Sequence, residues 1–410
     1  MKKSFLFLMG LAVSLLFIWV GVSYWKNYRG VWIAIAPPVE NVAEIVTATS
    51  SGPFQLPPGF SVSIFAKNLP DARVIVKDQS GNFWVSQPSE GVVSLLAVGQ
   101  GEVSSQRAVF RNLHRPHGLA FDPLNPSILY IAEENRISRV DISSGSPQIE
   151  KITDLPSGGE HVTRTIGFGP DDRLYVAMGS SCNVCHEADP RRAAIYSMNK
   201  DGSDFHAIAT GLRNTVFFLW DKKGMMWGAD MGRDYLGDNL PPDEINILSR
   251  VNSKVTSVTN SQAASATNFG WPVCYGKNVH DTDFDHNIYI RNPCMEPFET
   301  PSFIDLPAHS APLGMAFVPE MSSWPEDYWG SLLVAFHGSW NRTTPTGYKI
   351  VRLKLTTMGE YLNSEDFMTG FLSSKGVIGR PVDLLIDSTG TLYVTDDKAG
   401  VVYRLSYKKM

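Results

Sequence analysis

One pattern recurs along the 410-residue chain and decides what it can fold into. An apolar pair or triplet is followed by Asp or Pro, a Gly-containing turn, and a strand rich in aromatic and β-branched residues. Copies begin near Val74 (VIVKDQSGNFWVSQ), Gly118 (GLAFDPLNPSILYIAE), Thr165 (TIGFGPDDRLYVAMG), Val216 (VFFLWDKKGMMWGAD), Gly314 (GMAFVPE, then SLLVAFHG) and Val382 (VDLLIDSTGTLYVTD). Several run on through a turn into another strand, as in SEGVVSLL, NRISRVDI, GYKIVRLKL and AGVVYRLSY. Strand, turn, strand, turn, strand is the meander of a propeller blade, a small sheet that hides its faces only against neighbours like itself. Six copies predict an all-β, six-bladed propeller. No sustained helical periodicity competes.

With 36 Lys and Arg against 41 Asp and Glu, the net charge of −5 excludes a polybasic nucleic-acid binder. A hydrophobic share of 43% and a charged share of 19% support a large core. Before the repeats, Lys2 and Lys3 precede an apolar run from Phe5 to Trp25, whose 21 residues reach the roughly 20 that span a bilayer. The run ends in VSYWK rather than in a small-x-small cleavage site, which favours an uncleaved transmembrane anchor over a cleaved signal helix. The expected organisation is a signal-anchor over 1–28, a linker over 29–52, and the propeller over 53–410. The large domain is then exported to a periplasmic or extracellular face. In that compartment the four cysteines pair by proximity as Cys182 with Cys185 and Cys274 with Cys294.

The candidates for chemistry lie in loops before strands. His161, in GGEHVTRTIGF, follows Gly158 and Gly159 and neighbours Arg164, a charge that keeps an imidazole neutral. Arg213 and Asn214 precede the strand near Val216 and offer a cation and an amide to charge developing on a carbonyl oxygen. The stretch ADMGRDYLGDNLPPDEINIL gathers Gly232, Asp234, Asp238, Asp243 and Glu244, oxygen-rich as calcium prefers but without EF-hand spacing. The long interval from Val216 to Gly314 reads as an insertion on one face.

In order along the chain, GRDYLGDNLPPDEINIL, NFGWPVCYG, AHSAPLGMAF, FHGSWNRTTPTGYKIVRL and GRPVDLLIDSTGTLYVTDDKAGVVYRL closely resemble the glucose/sorbosone dehydrogenase family. The likeness covers roughly Pro57 to Tyr407. It implies a soluble-type aldose dehydrogenase that uses pyrroloquinoline quinone and calcium. By that resemblance His161 is the general base, Arg213 and Asn214 contact the quinone, and Arg380, with Arg342 and Arg115 ranked below it, holds the cofactor's carboxylates. The metal-binding carbonyls align with Gly232 and Arg233, where the family has Gly-Pro. The acidic residue before the His is Glu160 here, against Asp in relatives.

The chemistry so implied is removal of the anomeric hydroxyl's proton by neutral His161 as hydride passes to the quinone, with a lactone as product. The partners implied are a sugar, an external quinone or cytochrome acceptor and, through the N-terminal helix, a membrane. Nucleic acid is excluded. A calcium-dependent propeller lactonase and a non-enzymatic binding propeller are the alternatives. Cys182, Cys185 and His186 also spell the C-x-x-C-H of covalent haem, but their flanks are strands and a polar stretch rather than a helical haem pocket, so a loop-closing disulfide is expected.

Overall fold

The computed structural model of the chain describes residues 2–27, 52–250, 266–320, 323–374 and 376–409. The expected linker over 29–52 therefore lies outside the described residues, Gly52 excepted. A helix, Lys2–Asn27, comes first. Its side chains are described over 8–24, where Phe17 is 74% and Trp19 68% exposed. Among the described residues no helix is long and apolar enough to cross a membrane.

The repeats form six blades of four or five strands. Blade one holds Ile75–Lys77, Phe83–Gln87, Val92–Gly99 and Glu102–Phe110. Blade two runs from Gly118–Phe121 to Glu150–Asp154, and blade three from Ile166–Phe168 to His206–Thr210. Blade four holds Thr215–Trp220, Met225–Asp230, Asp243–Arg250 and Ile304–Leu306, and blade five runs from Pro312–Phe317 to Tyr361–Met368. Blade six takes Pro381–Ile386, Leu392–Asp396 and Val401–Tyr407, and its outer strand is Phe60–Lys67 from the other end of the domain. Phe60 lies opposite Tyr407 and Lys67 opposite Val401, so antiparallel hydrogen bonds close the ring.

Middle strands are covered on both faces by adjoining blades. FWVSQ, LYVAM, AIYSM, LLVAF and LYVTD are accordingly buried at every position, whereas the outer strand Glu102–Phe110 is mostly exposed. Close approach of the blades demands small residues at the centre: a Cβ on Gly314 would lie 2.5 Å from the Val382 carbonyl oxygen of the next blade. Between blades four and five, buried Trp227 packs edge-on against Phe303 and Phe317. Truncating such a residue to Ala costs about 3–5 kcal/mol.

The insertion supplies the outer strand of blade four, a fifth strand to blade three (Thr267–Asn268) and a ribbon of Cys274–Tyr275 with Val279–His280. The Cys274–Cys294 disulfide closes it, and Cys182–Cys185 closes a loop between two strands of blade three. Within each antiparallel blade, the start of the first strand and the end of the second meet at one face. His161, Arg213, Asn214, Gly232, Arg233 and Arg380 sit in loops at that face, and Asp243 and Glu244 open a strand of blade four.

Candidate active site at the channel mouth

Blades three and four bring His161, Arg213 and Asn214 together. His161 Nδ1 lies 2.9 Å from both the carbonyl oxygen and the Oγ of Ser180. Ser180 Oγ spends its own hydrogen on the Cys182 carbonyl at 2.6 Å. Both neighbours of Nδ1 therefore accept, so the neutral ring carries its proton on Nδ1 and keeps a lone pair on Nε2. Burial pushes the imidazole down to about 3, with Arg213, Arg192 and Arg164 acting in the same direction. Arg164, named from sequence as the neutralising charge, is the least of these; it binds the carbonyls of Pro156, His161 and Thr163 and so shapes the loop.

The lead residues of blade four are held by Asp230, the last residue of the next strand. Its carboxylate accepts from the backbone of Arg213 and Asn214 and from Thr215 Oγ1, and burial pushes it up to about 6. The Arg213 side chain, 5% exposed, donates from Nε to the Asn183 carbonyl at 2.9 Å and from Nη1 to the Gly232 carbonyl at 2.9 Å. Its Nη2 reaches Asn183 Oδ1 at 2.9 Å and Asp234 Oδ2 at 3.0 Å. Gly179 stands between the catalytic candidates, since a Cβ there would lie 2.4 Å from Asn214 Oδ1 and 2.7 Å from His161 Cβ.

Blades five, six and one form the other half. Asp396 repeats the role of Asp230 by accepting from the backbone of Arg380 and Ala399. Arg380 donates to the carbonyls of His337 and Gly338. His337 Nε2 donates to Asp397 at 2.9 Å, and Arg73 pairs with the same carboxylate at 2.7 Å. Burial and Arg380 push His337 down to about 4. The segment from His337 to Arg342 bridges the halves, for Trp340 Nε1 and Asn341 Nδ2 both reach Asp234 Oδ1 at 3.1 Å.

Other expected residues are placed apart. Arg115, 56% exposed, pairs with Glu134 at 3.3 Å, which also accepts from the Gly158 N–H. Arg342 binds the Ala308 carbonyl and Asn239 Oδ1. Glu160 is exposed and donates its backbone N–H to the Ser181 carbonyl. Asn183, Arg73, His337 and Asp397 were not predicted as site residues, and Asp234 was named only within the oxygen-rich stretch weighed for calcium. The strand-ending Asp of WGAD and YVTD is the one sequence signal that could have led to the shared backbone clamp.

Two tests of fit follow. Five guanidinium groups, those of Arg73, Arg164, Arg192, Arg213 and Arg380, each lower the affinity of a nearby imidazole for its proton. Asn214 Oδ1 is buried without a partner. This cationic mouth suits a polycarboxylate quinone. Calcium fits less well: the Gly232 carbonyl is already held by Arg213, and the Arg233 side chain pairs with Asp281 at 2.7 Å. Asp243 is committed to the N–H groups of Gly232 and Ala311. A cation on the second lone pair of the Gly232 carbonyl would lie beside the Arg213 guanidinium, which disfavours it.

The six-bladed propeller is the fold that the resemblance to the glucose/sorbosone dehydrogenase family led us to expect. More closely, the chain belongs to the TrAA12-like family, which matches residues 54–408. An uncharacterized protein of Borreliella burgdorferi is 31% identical over 391 residues, covering 90% of this chain and 93% of that one. A pyrroloquinoline quinone-dependent pyranose dehydrogenase of Coprinopsis cinerea is 25% identical over 400 residues; 84% of this chain matches, and the match covers 53% of that longer protein. Among solved structures, the calcium form of a Trichoderma reesei protein of carbohydrate-active family AA12 aligns with a TM-score of 0.72 at 19% identity, covering 87% of this chain and 97% of that one.

Proposed function

We propose that the protein oxidises an aldose-type sugar at its anomeric carbon with pyrroloquinoline quinone as cofactor, giving a lactone. The observation that carries this reading is the buried His161, which presents a bare Nε2 beside Arg213 and the unpartnered Asn214 Oδ1. The quinone, when bound, supplies the hydride acceptor. His161 Nε2 takes the proton of the anomeric hydroxyl, and Nδ1 stays fixed on Ser180 throughout. Arg213, Arg380 and Arg73 would supply positive charge for the quinone oxygens and carboxylates, and Asn214 Oδ1 would accept a hydrogen bond. Arg213 is buried and His161 mostly so, which limits water at the reacting groups. The sequence names of relatives, a pyranose dehydrogenase and an aldose sugar dehydrogenase of Streptomyces coelicolor, support the substrate class.

The two disulfides support export, and an external quinone or cytochrome then takes the electrons. A lactonase would gather carboxylates around a cation; among the described residues the three-ligand groups surround the two disulfides, so no observation favours it.

The test is to add pyrroloquinoline quinone to the apo protein, with calcium in one arm and a chelator in the other, and then a panel of aldoses. Bound-quinone absorbance that is bleached by an aldose is the expected result. Absence of quinone binding in both arms overturns the proposal.

A further inference from the structure

The loop between Ser180 and Cys185 touches both halves of the chemistry. Ser180 receives His161 Nδ1 at 2.9 Å, and its backbone N–H donates to the Arg213 carbonyl at 2.8 Å. Three residues on, the Asn183 carbonyl and Oδ1 take Arg213 Nε and Nη2, both at 2.9 Å. The same Oδ1 accepts from the Asp234 N–H at 2.8 Å, and Nδ2 donates to the Asp234 carbonyl at 3.2 Å. Two of the three guanidinium nitrogens thus depend on one side chain and its own backbone. That residue lies between the cysteines of a disulfide only three positions apart, in a segment without strand or helix.

We propose that this disulfide-closed loop is the positioning element of the active site, with Asn183 as the positioning residue that aims the Arg213 fork and Ser180 as the one that fixes the His161 tautomer. The inference rests on the proposed function only in taking His161 and Arg213 as the working groups. A ring of four residues constrains little of the unfolded chain, whereas Cys274–Cys294 spans 20 residues and closes the insertion. The short bridge should therefore act locally and the long one globally. Asn is specific here. Asp would keep both acceptors for Arg213 but lose the N–H that reaches the Asp234 carbonyl and bring a second negative charge beside Asp234; Ala would lose the side-chain bonds entirely.

The test uses the apo full chain, so it needs no cofactor. Nitrogen-15 NMR of the imidazole and guanidinium groups is recorded for the wild type, Asn183→Ala, Asn183→Asp and the double change Cys182→Ser with Cys185→Ser, with His161→Gln and Arg213→Lys giving the assignments. In the wild type His161 holds a single Nδ1–H tautomer and Arg213 Nε–H exchanges slowly. Asn183→Ala should raise Arg213 exchange at least about tenfold and leave the tautomer intact, and Asn183→Asp should restore part of the protection. The double serine variant should raise exchange and mix the tautomers, with its melting temperature within a few degrees of wild type. Cys274→Ser with Cys294→Ser should lower the melting temperature and leave His161 as it was. A double serine variant that keeps both the tautomer and the Arg213 protection overturns the proposal, as does Asn183→Ala with wild-type exchange. Turnover on reconstitution with quinone is read separately, so failure of sugar oxidation would leave these resonances to stand or fall alone.

Discussion

Two histidines on the same face are both mostly buried and both kept neutral by desolvation with arginines acting the same way, yet they are wired in opposite senses. His161 points Nδ1 at a carbonyl and a hydroxyl that can only accept, which leaves Nε2 bare. His337 spends Nε2 on Asp397, a carboxylate that Arg73 also holds. Burial alone would raise Asp397, but His337, Arg73 and Arg380 hold it well below the usual carboxylate range. The first arrangement leaves a proton acceptor in reserve. The second uses up its polar groups in an ion-paired clamp that joins blades five, six and one. A histidine's role is thus set by what its other nitrogen meets, more than by burial or by neighbouring charge.

The largest effect separates the two rings by turnover. His161→Ala should lower the rate of the reconstituted enzyme by about 100- to 10,000-fold, the usual contribution of a general base, with quinone affinity changed by only a few fold. His337→Gln keeps a donor for Asp397 and should leave turnover within about threefold. Steady-state rates with a saturating aldose decide the matter, and equal losses in the two variants would abolish the distinction drawn between them.

The clamp should declare itself in stability instead. Asp397→Ala removes the partner of both Arg73 and His337, and because these side chains are 12–14% exposed the loss should fall below the about 3–5 kcal/mol of a fully buried pair. Urea unfolding of the apo protein measures it. A loss below about 1 kcal/mol would show that the clamp is solvated and that the blades are joined by apolar packing alone.

Much of this was legible before any coordinates. The six blades could be counted because strands such as LYVAM and the LYV of LYVTD run apolar at successive positions, a pattern that two-sided burial imposes. His161, Arg213 and Asn214 were visible because each precedes such a strand. The pairing of Phe60–Lys67 with Val401–Tyr407 was not, since it joins segments more than 300 residues apart and neither carries a local mark of its partner. Asn183 was hidden for another reason: a polar residue in a polar loop reads as solvated until the fold sets it on Arg213, and Asp234, read as an oxygen ligand for a cation, proves to pair with the same guanidinium. Arg115 and Arg342, ranked below Arg380 as holders of cofactor carboxylates, are engaged by Glu134 and by the Ala308 carbonyl.

The smallest expected effect is an absence of change, and it sharpens the comparison most. A general base works in its unprotonated form, and burial, aided by Arg213, Arg192 and Arg164, pushes His161 down to about 3. Between pH 5 and 9 the ring is neutral throughout, so kcat/KM should vary by less than about twofold and fall only near pH 4. Stability follows a different course. A ring whose folded-state affinity for a proton is depressed contributes stability that is present above the unfolded value of 6.5 and is lost as pH falls toward the folded one. His337, pushed down to about 4, adds in the same direction. The raised carboxyls of Asp230, Asp243 and Glu244 act in the opposite sense, gaining stability as pH falls. The share of the two rings is therefore read as the extra loss of melting temperature below about pH 6.5 in wild type relative to a His161→Gln, His337→Gln variant, while turnover of the folded enzyme holds steady for two further pH units. Paired pH–rate and pH–melting curves check this. An inflection in kcat/KM near 6.5 would mean that His161 titrates as a solvated imidazole, and the Ser180 contact would then have no claim to fix its tautomer.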